Sequence, residues 1–72
     1  MIVVNQDRNG LVNIDTAGAI IVEGKKVIAK SGDSAYILGK YASEFRAEQM
    51  VRNIVDNIRK GSTVYEMAKS EN

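Results

Sequence analysis

Residues 43–61 constrain this chain more than any other stretch, because they read as one amphipathic helix with a stop signal at each end. Ser43 is a suitable N-cap, since its hydroxyl can accept from a first-turn N–H, and Glu44 adds negative charge where the helix dipole favours it. Ala47, Met50, Val51, Ile54, Val55 and Ile58 recur at three- and four-residue steps, which gathers them into one apolar stripe. Glu48 with Arg52, and Asp56 with Lys60, have the i,i+4 spacing of ion pairs worth about 0.2–0.5 kcal/mol each. Arg59 and Lys60 suit the negative end of the dipole, and Gly61 is the expected left-handed stop. The spacing predicts a helix over residues 43–60.

Before residue 43 the pattern changes from helical spacing to short apolar runs broken by turn residues. Ile2, Val3 and Val4 form a β-branched run. Residues 7–10 end in Asn9-Gly10, two residues that tolerate the positive φ of tight hairpins. Residues 11–15 return as a second strand with Val12 and Ile14 on one face. Residues 19–23, 26–30 and 35–41 follow, separated by the turn Gly24-Lys25 and a polar loop over 31–34. Short strands joined by brief turns predict an antiparallel meander.

The C-terminal stretch admits two readings. Thr63 and Glu66 have the spacing of a capping box, which would open a short helix. The succession Thr63-Val64-Tyr65 suits a pleated surface better, so a sixth strand over 63–67 is favoured. Residues 69–72 are expected to fray. The fold class is therefore α+β. One domain over 1–72 carries an antiparallel β meander of five to six short strands (sheet 2–41) packed against one long C-terminal α-helix.

A chain of 72 residues with no Cys and no His has few means of reinforcement. Domains this small bury only about 60% of their unfolded surface. Disulfides are unavailable, and zinc would have to rest on carboxylates alone. Self-association remains, so a homodimer or higher oligomer is expected, with a well-packed monomer as the plainer alternative. The strands point the same way. Ile2 and Val4 against Val3, Ile20 and Val22 against Ile21, and Tyr36 and Leu38 against Ile37 make three strands apolar on both faces. One helix covers one face. The other must be hidden by the C-terminal segment, by strong sheet curvature or by a second copy.

Catalysis is not expected. The commonest general base and the thiol nucleophile are both missing, and Ser31, Ser34, Ser43 and Thr63 have no base placed beside them by any motif. Among carboxylates, Asp7 with Asp15 reads as turn chemistry, and Glu44 with Glu48 as a solvated helix face. Asn5, Gln6, Asn9 and Asn13 add oxygen ligands near Asp7 and Asp15, but not at the spacing of a twelve-residue calcium loop. Gly24-Lys25-Lys26 lacks the Gly-rich arm and the Ser or Thr of a phosphate loop. Gly32-Asp33-Ser34 reads as a plain hairpin loop rather than an anion cradle. No metal and no cofactor is called for. Ten basic residues against nine acidic argue against a strong grip on nucleic acid. No apolar run approaches the roughly 20 residues of a membrane span, and the first residues lack the pattern of a signal peptide. A cytoplasmic protein without a membrane partner is expected.

Two surfaces remain as candidates. Phe45 lies opposite the centre of the apolar stripe, beside Gln49, Arg52 and Asp56. It either folds over the sheet edge or stands out as an aromatic anchor. In the second case Phe45, Glu48, Gln49, Arg52 and Asp56 make a partner-binding face. The alternative is a set of basic strand ends, Arg8, Lys25, Lys26, Lys30 and Lys40, offered to a nucleotide or nucleic acid. Its aromatic interleaving is thin, Tyr36 and Tyr41 only, and Lys at strand ends commonly protects sheet edges.

Val3-Val4-Asn5-Gln6-Asp7, the strand Val12-Asn13-Ile14-Asp15, the hairpin Gly24-Lys25-Lys26-Val27-Ile28-Ala29, the stretch 37–43 and the helix with Arg46-Ala47 carry a resemblance. Together they resemble a group of small proteins encoded by phages and prophages of Gram-positive bacteria. The likeness runs through Val64-Tyr65-Glu66-Met67, after which that group often has Pro where this chain has Ala68. Its motifs are fold-forming, and no catalytic residue carries over. The resemblance implies a bacterial host cytoplasm, where small non-enzymatic proteins bind and inhibit host machinery, including antiviral defence factors. The expected function on that reading is stoichiometric binding to a host protein.

Overall fold

The computed structural model of the chain describes residues 1–69. Six strands and one helix follow in the order β1 (Ile2–Val4), β2 (Leu11–Asn13), β3 (Ala19–Glu23), β4 (Lys26–Ser31), β5 (Ser34–Lys40), α1 (Glu44–Arg59) and β6 (Val64–Glu66). The α+β class is as expected. The strands, however, form two three-stranded sheets, ordered β2-β1-β6 and β3-β4-β5, rather than one meander. Thr16 explains the break. Its N–H (3.3 Å) and its hydroxyl (3.1 Å) both fold back onto the Asn13 carbonyl, so β2 stops after three residues. The sixth strand forms and the short-helix alternative does not. β6 lies parallel to β1. A parallel neighbour needs a long crossover, and α1 lies on it. The helix is thus not C-terminal. Of the segment expected to fray, residues 70–72 lie outside the described residues.

The β3-β4-β5 sheet is the expected antiparallel meander. Its two hairpins have two-residue loops, with Gly24 at φ +62 and Gly32 at φ +59 in the first loop position, where a II′ turn requires glycine. The loop over 31–34 is therefore tighter than expected, with Ser31 and Ser34 paired as strand ends. In the first hairpin the positive φ falls on Arg8 (+62), not on Asn9 or Gly10. The loop is wound round the Asn5 side chain, whose Oδ1 accepts from the N–H groups of Asn9 and Gly10.

A bulge in β5 shapes the core. Val27 pairs with Gly39 and Ile28 with Ile37, which leaves Leu38 as the extra residue, and Leu38 is buried. The register puts Ile20, Ala29 and Tyr36 in one row on the inner face and Ile21, Ile28 and Ile37 in one row on the outer face. The core joins Val27, Ala29 and Leu38 to Ala47, Met50 and Ile54 of α1, and to Val3 and Met67 from the other sheet side.

Both helix ends are capped as their residues dictate. Ser43 Oγ accepts from Arg46 N–H. At the other end Gly61 (φ +77) lets its N–H reach Ile58 O and the Ser62 N–H reach Asn57 O, the two bonds of a Schellman motif. The apolar stripe is only partly used. Ala47, Met50 and Ile54 are buried, whereas Ile58 is 51% exposed. The expected pairs Glu48–Arg52 and Asp56–Lys60 do not close. The ion pairs among the described residues are the Met1 α-amine with Asp15 (2.9 Å) and Arg8 with Glu66 (3.6 Å). Exposed i,i+4 pairs gain little in water against the entropy of holding two long side chains together. Among the described residues no helix is long and apolar enough to cross a membrane.

Candidate functional site

On the outer side of α1, Phe45 is 60% exposed. It does not fold over the sheet edge. Glu48, Arg52 and Asp56 are exposed as well, and none of the three is in an ion pair among the described residues. At about 100° per residue these four side chains fall within a narrow arc, so they form one stripe of roughly 16 Å. Gln49 falls within the same arc but is less open than the other four. That residue is half-buried, and its Oε1 accepts from Arg46 Nη1 at 2.7 Å.

The basic set does not form one surface. Lys26 pairs with Lys40 across β4 and β5, and Tyr41 N–H bonds to Lys25 O, so three lysines gather at one end of the meander. Lys30 pairs with Ala35, four residues along β4 and about 13 Å away. Arg8 is occupied internally. Its Nη1 donates to Met67 O (2.7 Å), Asn5 O (3.0 Å) and Gln6 O (3.3 Å). The oxygen-rich first hairpin is likewise occupied by turn and terminal contacts, with Asp15 held by the Met1 amine and Asn5 by its own loop. No cluster of three or more His, Cys, Asp or Glu able to hold a metal ion occurs among the described residues.

Sequence reasoning missed a clasp on the C-terminal segment. Tyr41 Oη donates to Ala68 O at 2.8 Å, Gln6 Nε2 to the same oxygen at 3.3 Å, and Arg8 to Met67 O. Burial pushes the Tyr41 hydroxyl up to about 12, helped by Tyr65 and opposed by Arg8. Gly39 makes room for it, since a Cβ there would stand 2.7 Å from Tyr41 Oη. No motif marks these residues, because their partners are main-chain carbonyls far along the sequence.

A second missed feature is a cleft of about 290 Å³ between β2 and the β4–β5 hairpin, lined by Leu11, Val12, Asn13, Thr16, Ser31 and Tyr36 among others. Comparison with family models, with curated proteins and with solved structures finds nothing that matches this chain.

Proposed function

We propose that this chain is a non-enzymatic binding protein that acts stoichiometrically on another protein through the outer face of α1. The observation that carries the reading is the placement of Phe45, largely exposed and flanked by Glu48, Arg52 and Asp56, none of them in an internal ion pair among the described residues. A lone exposed apolar residue is ordinary. An aromatic set among uncommitted charges, with an Arg beside it, has the composition of an interaction hot spot. The resemblance to phage-encoded proteins supplies the setting, a bacterial cytoplasm, and makes the partner a host protein whose activity is blocked by occupancy.

Pull-down of a host protein with wild type and with a Phe45→Ala, Arg52→Glu double variant tests this. Neither side chain belongs to the core, so the variant should keep the thermal unfolding midpoint of the wild type and lose the captured protein. Capture that survives in the folded variant overturns the helix-face assignment.

A further inference from the structure

The first hairpin places a reactive dipeptide on the surface. Of the asparagines, at positions 5, 9, 13, 53, 57 and 72, Asn9 alone is followed by glycine. An asparagine side chain is open to attack by the main-chain nitrogen of the next residue, and a side chain on that residue stands in the way. Glycine has none and lets the main chain turn freely. Asn9 and Gly10 are both exposed. The fold does not demand glycine here. Gly10 is not among the positive-φ positions, and a Cβ built on it would meet Asn5 Nδ2 at 3.6 Å, an ordinary contact. Gly24, Gly32 and Gly61 differ, because their left-handed backbone favours glycine.

Asn5 holds both reacting groups. Its Oδ1 accepts from Asn9 N–H at 3.1 Å and from Gly10 N–H at 3.2 Å, and its Nδ2 donates to Asn9 Oδ1 at 2.6 Å. The attacking nitrogen is thus engaged as a donor, and the carboxamide under attack is tied by its oxygen. These bonds must open before Gly10 N reaches Asn9 Cγ, and surface loops open locally at low cost. Asn5 is itself fixed by its main chain. Its N–H donates to Gly10 O at 3.0 Å, and its carbonyl accepts from Arg8 N–H at 3.1 Å. Arg8 Nη1 donates to the same carbonyl at 3.0 Å and to Met67 O at 2.7 Å, which ties the hairpin to the C-terminal clasp.

We propose that Asn9-Gly10 is a site of self-modification, and that Asn5 is the latch that sets its rate. When the latch opens, solvent base removes the Gly10 N–H proton and the nitrogen bonds to Asn9 Cγ. The carbon expels its Nδ2 group as ammonia, which leaves a five-membered succinimide. Water then adds to either ring carbonyl and gives aspartate or isoaspartate at position 9. The net change is one water taken up and one ammonia released, with no oxidant, reductant or cofactor. Held side by side in one chain, the two groups need no collision to meet. Either product adds one carboxylate, so the formal net charge falls from +1 to zero at neutral pH. The isoaspartyl product also lengthens the main chain by one carbon directly after Arg8, and so displaces the guanidinium from Met67 O. This site does not rest on the helix-face reading.

The test incubates the full chain at mildly alkaline pH and follows Asn9 by peptide mass spectrometry, with isoaspartate resolved from aspartate by chromatography. Conversion should occur at Asn9 before any other asparagine. Asn5→Ala should speed it about tenfold or more, the worth of the hydrogen bonds it takes from the reacting groups. Gly10→Ala, whose Cβ the fold accepts, should keep the wild-type unfolding midpoint and convert far more slowly. The isoaspartyl form, separated by ion exchange, should unfold at a lower temperature than the unmodified chain. Asn9 intact in both wild type and Asn5→Ala, a folded Asn5→Ala that converts at the wild-type rate, or Gly10→Ala that converts as fast as wild type would overturn the proposal. An unchanged midpoint in the isoaspartyl form would overturn its link to the clasp. If Asn5→Ala fails to fold, the wild type is compared with a blocked peptide of residues 7–11. Conversion as fast in the folded chain as in the peptide would then remove the latch.

Discussion

The side chain of Gln6 and the main chain of Lys40 exchange two hydrogen bonds. Oε1 accepts from Lys40 N–H at 2.9 Å, and Nε2 donates to Lys40 C=O at 2.8 Å. A carboxamide presents the same donor–acceptor pair as a peptide unit, so Gln6 replaces a strand residue at the edge of β5. Its own N–H completes the seam at Leu38 O. The two sheets are thereby joined at one end, while the cleft stays open at the other.

Gln6→Glu should therefore be destabilised at neutral pH, because a carboxylate oxygen would face the Lys40 carbonyl. The expected loss is roughly 1–3 kcal/mol. A protonated carboxyl regains a donor, so the deficit relative to wild type should shrink as pH falls from neutral and be closed by about pH 4, the range of the unfolded carboxyl. Urea unfolding of both proteins at neutral and acid pH checks it. A deficit that stays constant across pH would mean that Nε2 contributes nothing.

How much of this was legible in the sequence depends on the range of each interaction. Ser43, Gly61, Gly24 and Gly32 act on residues within a few positions of themselves, and each takes the role its chemistry predicts. The exposed stripe on α1 follows from helical geometry alone. The pairing of β6 with β1 joins residues 62 apart, such as Ile2 with Val64, over three positions only, too few for a pattern to declare. Arg8 shows the same limit at the candidate sites. It counts as a free cation in the sequence, and in the fold it holds three carbonyls.

Tyr41 gives the fold an alkaline limit. Its hydroxyl ionises at about 12 in the folded chain against 10.0 when unperturbed. A raised value means that the folded state holds the proton more tightly. The contribution is complete below about pH 10 and is lost as pH rises toward about 12, a fall on the order of 2–3 kcal/mol. Tyr41→Phe should flatten this part of the stability curve. It should also cost about 1 kcal/mol at neutral pH, where Ala68 O loses its 2.8 Å donor. Denaturant melts between neutral pH and pH 12 read both effects.

Gly39 and Tyr41 should behave as a coupled pair. A Cβ on Gly39 would stand 2.7 Å from Tyr41 Oη and 2.8 Å from Cε2, closer than atoms tolerate. Gly39→Ala should cost about 1–3 kcal/mol, the usual range for overpacking. Because the ring is displaced only once, Gly39→Ala with Tyr41→Phe should cost less than the sum of the two single changes. Additive losses in a double-mutant cycle would show that the ring is not what Gly39 accommodates.

We propose the outer row Ile21–Ile28–Ile37 as the surface through which copies of this chain would associate. Ile37 is 46% exposed, while Ile28 between its neighbours is only 7% exposed. Lys30 occupies the row on one side, and Lys26 and Lys40 the row on the other, with Glu23 the acidic member. Two copies meeting face to face would bury apolar surface and crowd these lysines together. Three isoleucines fall well short of the roughly 800 Å² that a stable interface buries on each partner. The expected dimer is therefore weak, and because like charges oppose it, it should strengthen as salt screens them. Sedimentation at high protein concentration should show the mean mass rising between about 0.05 and 0.5 M salt. Ile37→Lys should remain monomeric in both conditions. Association that weakens with salt would place the contact elsewhere, on a surface where opposite charges meet.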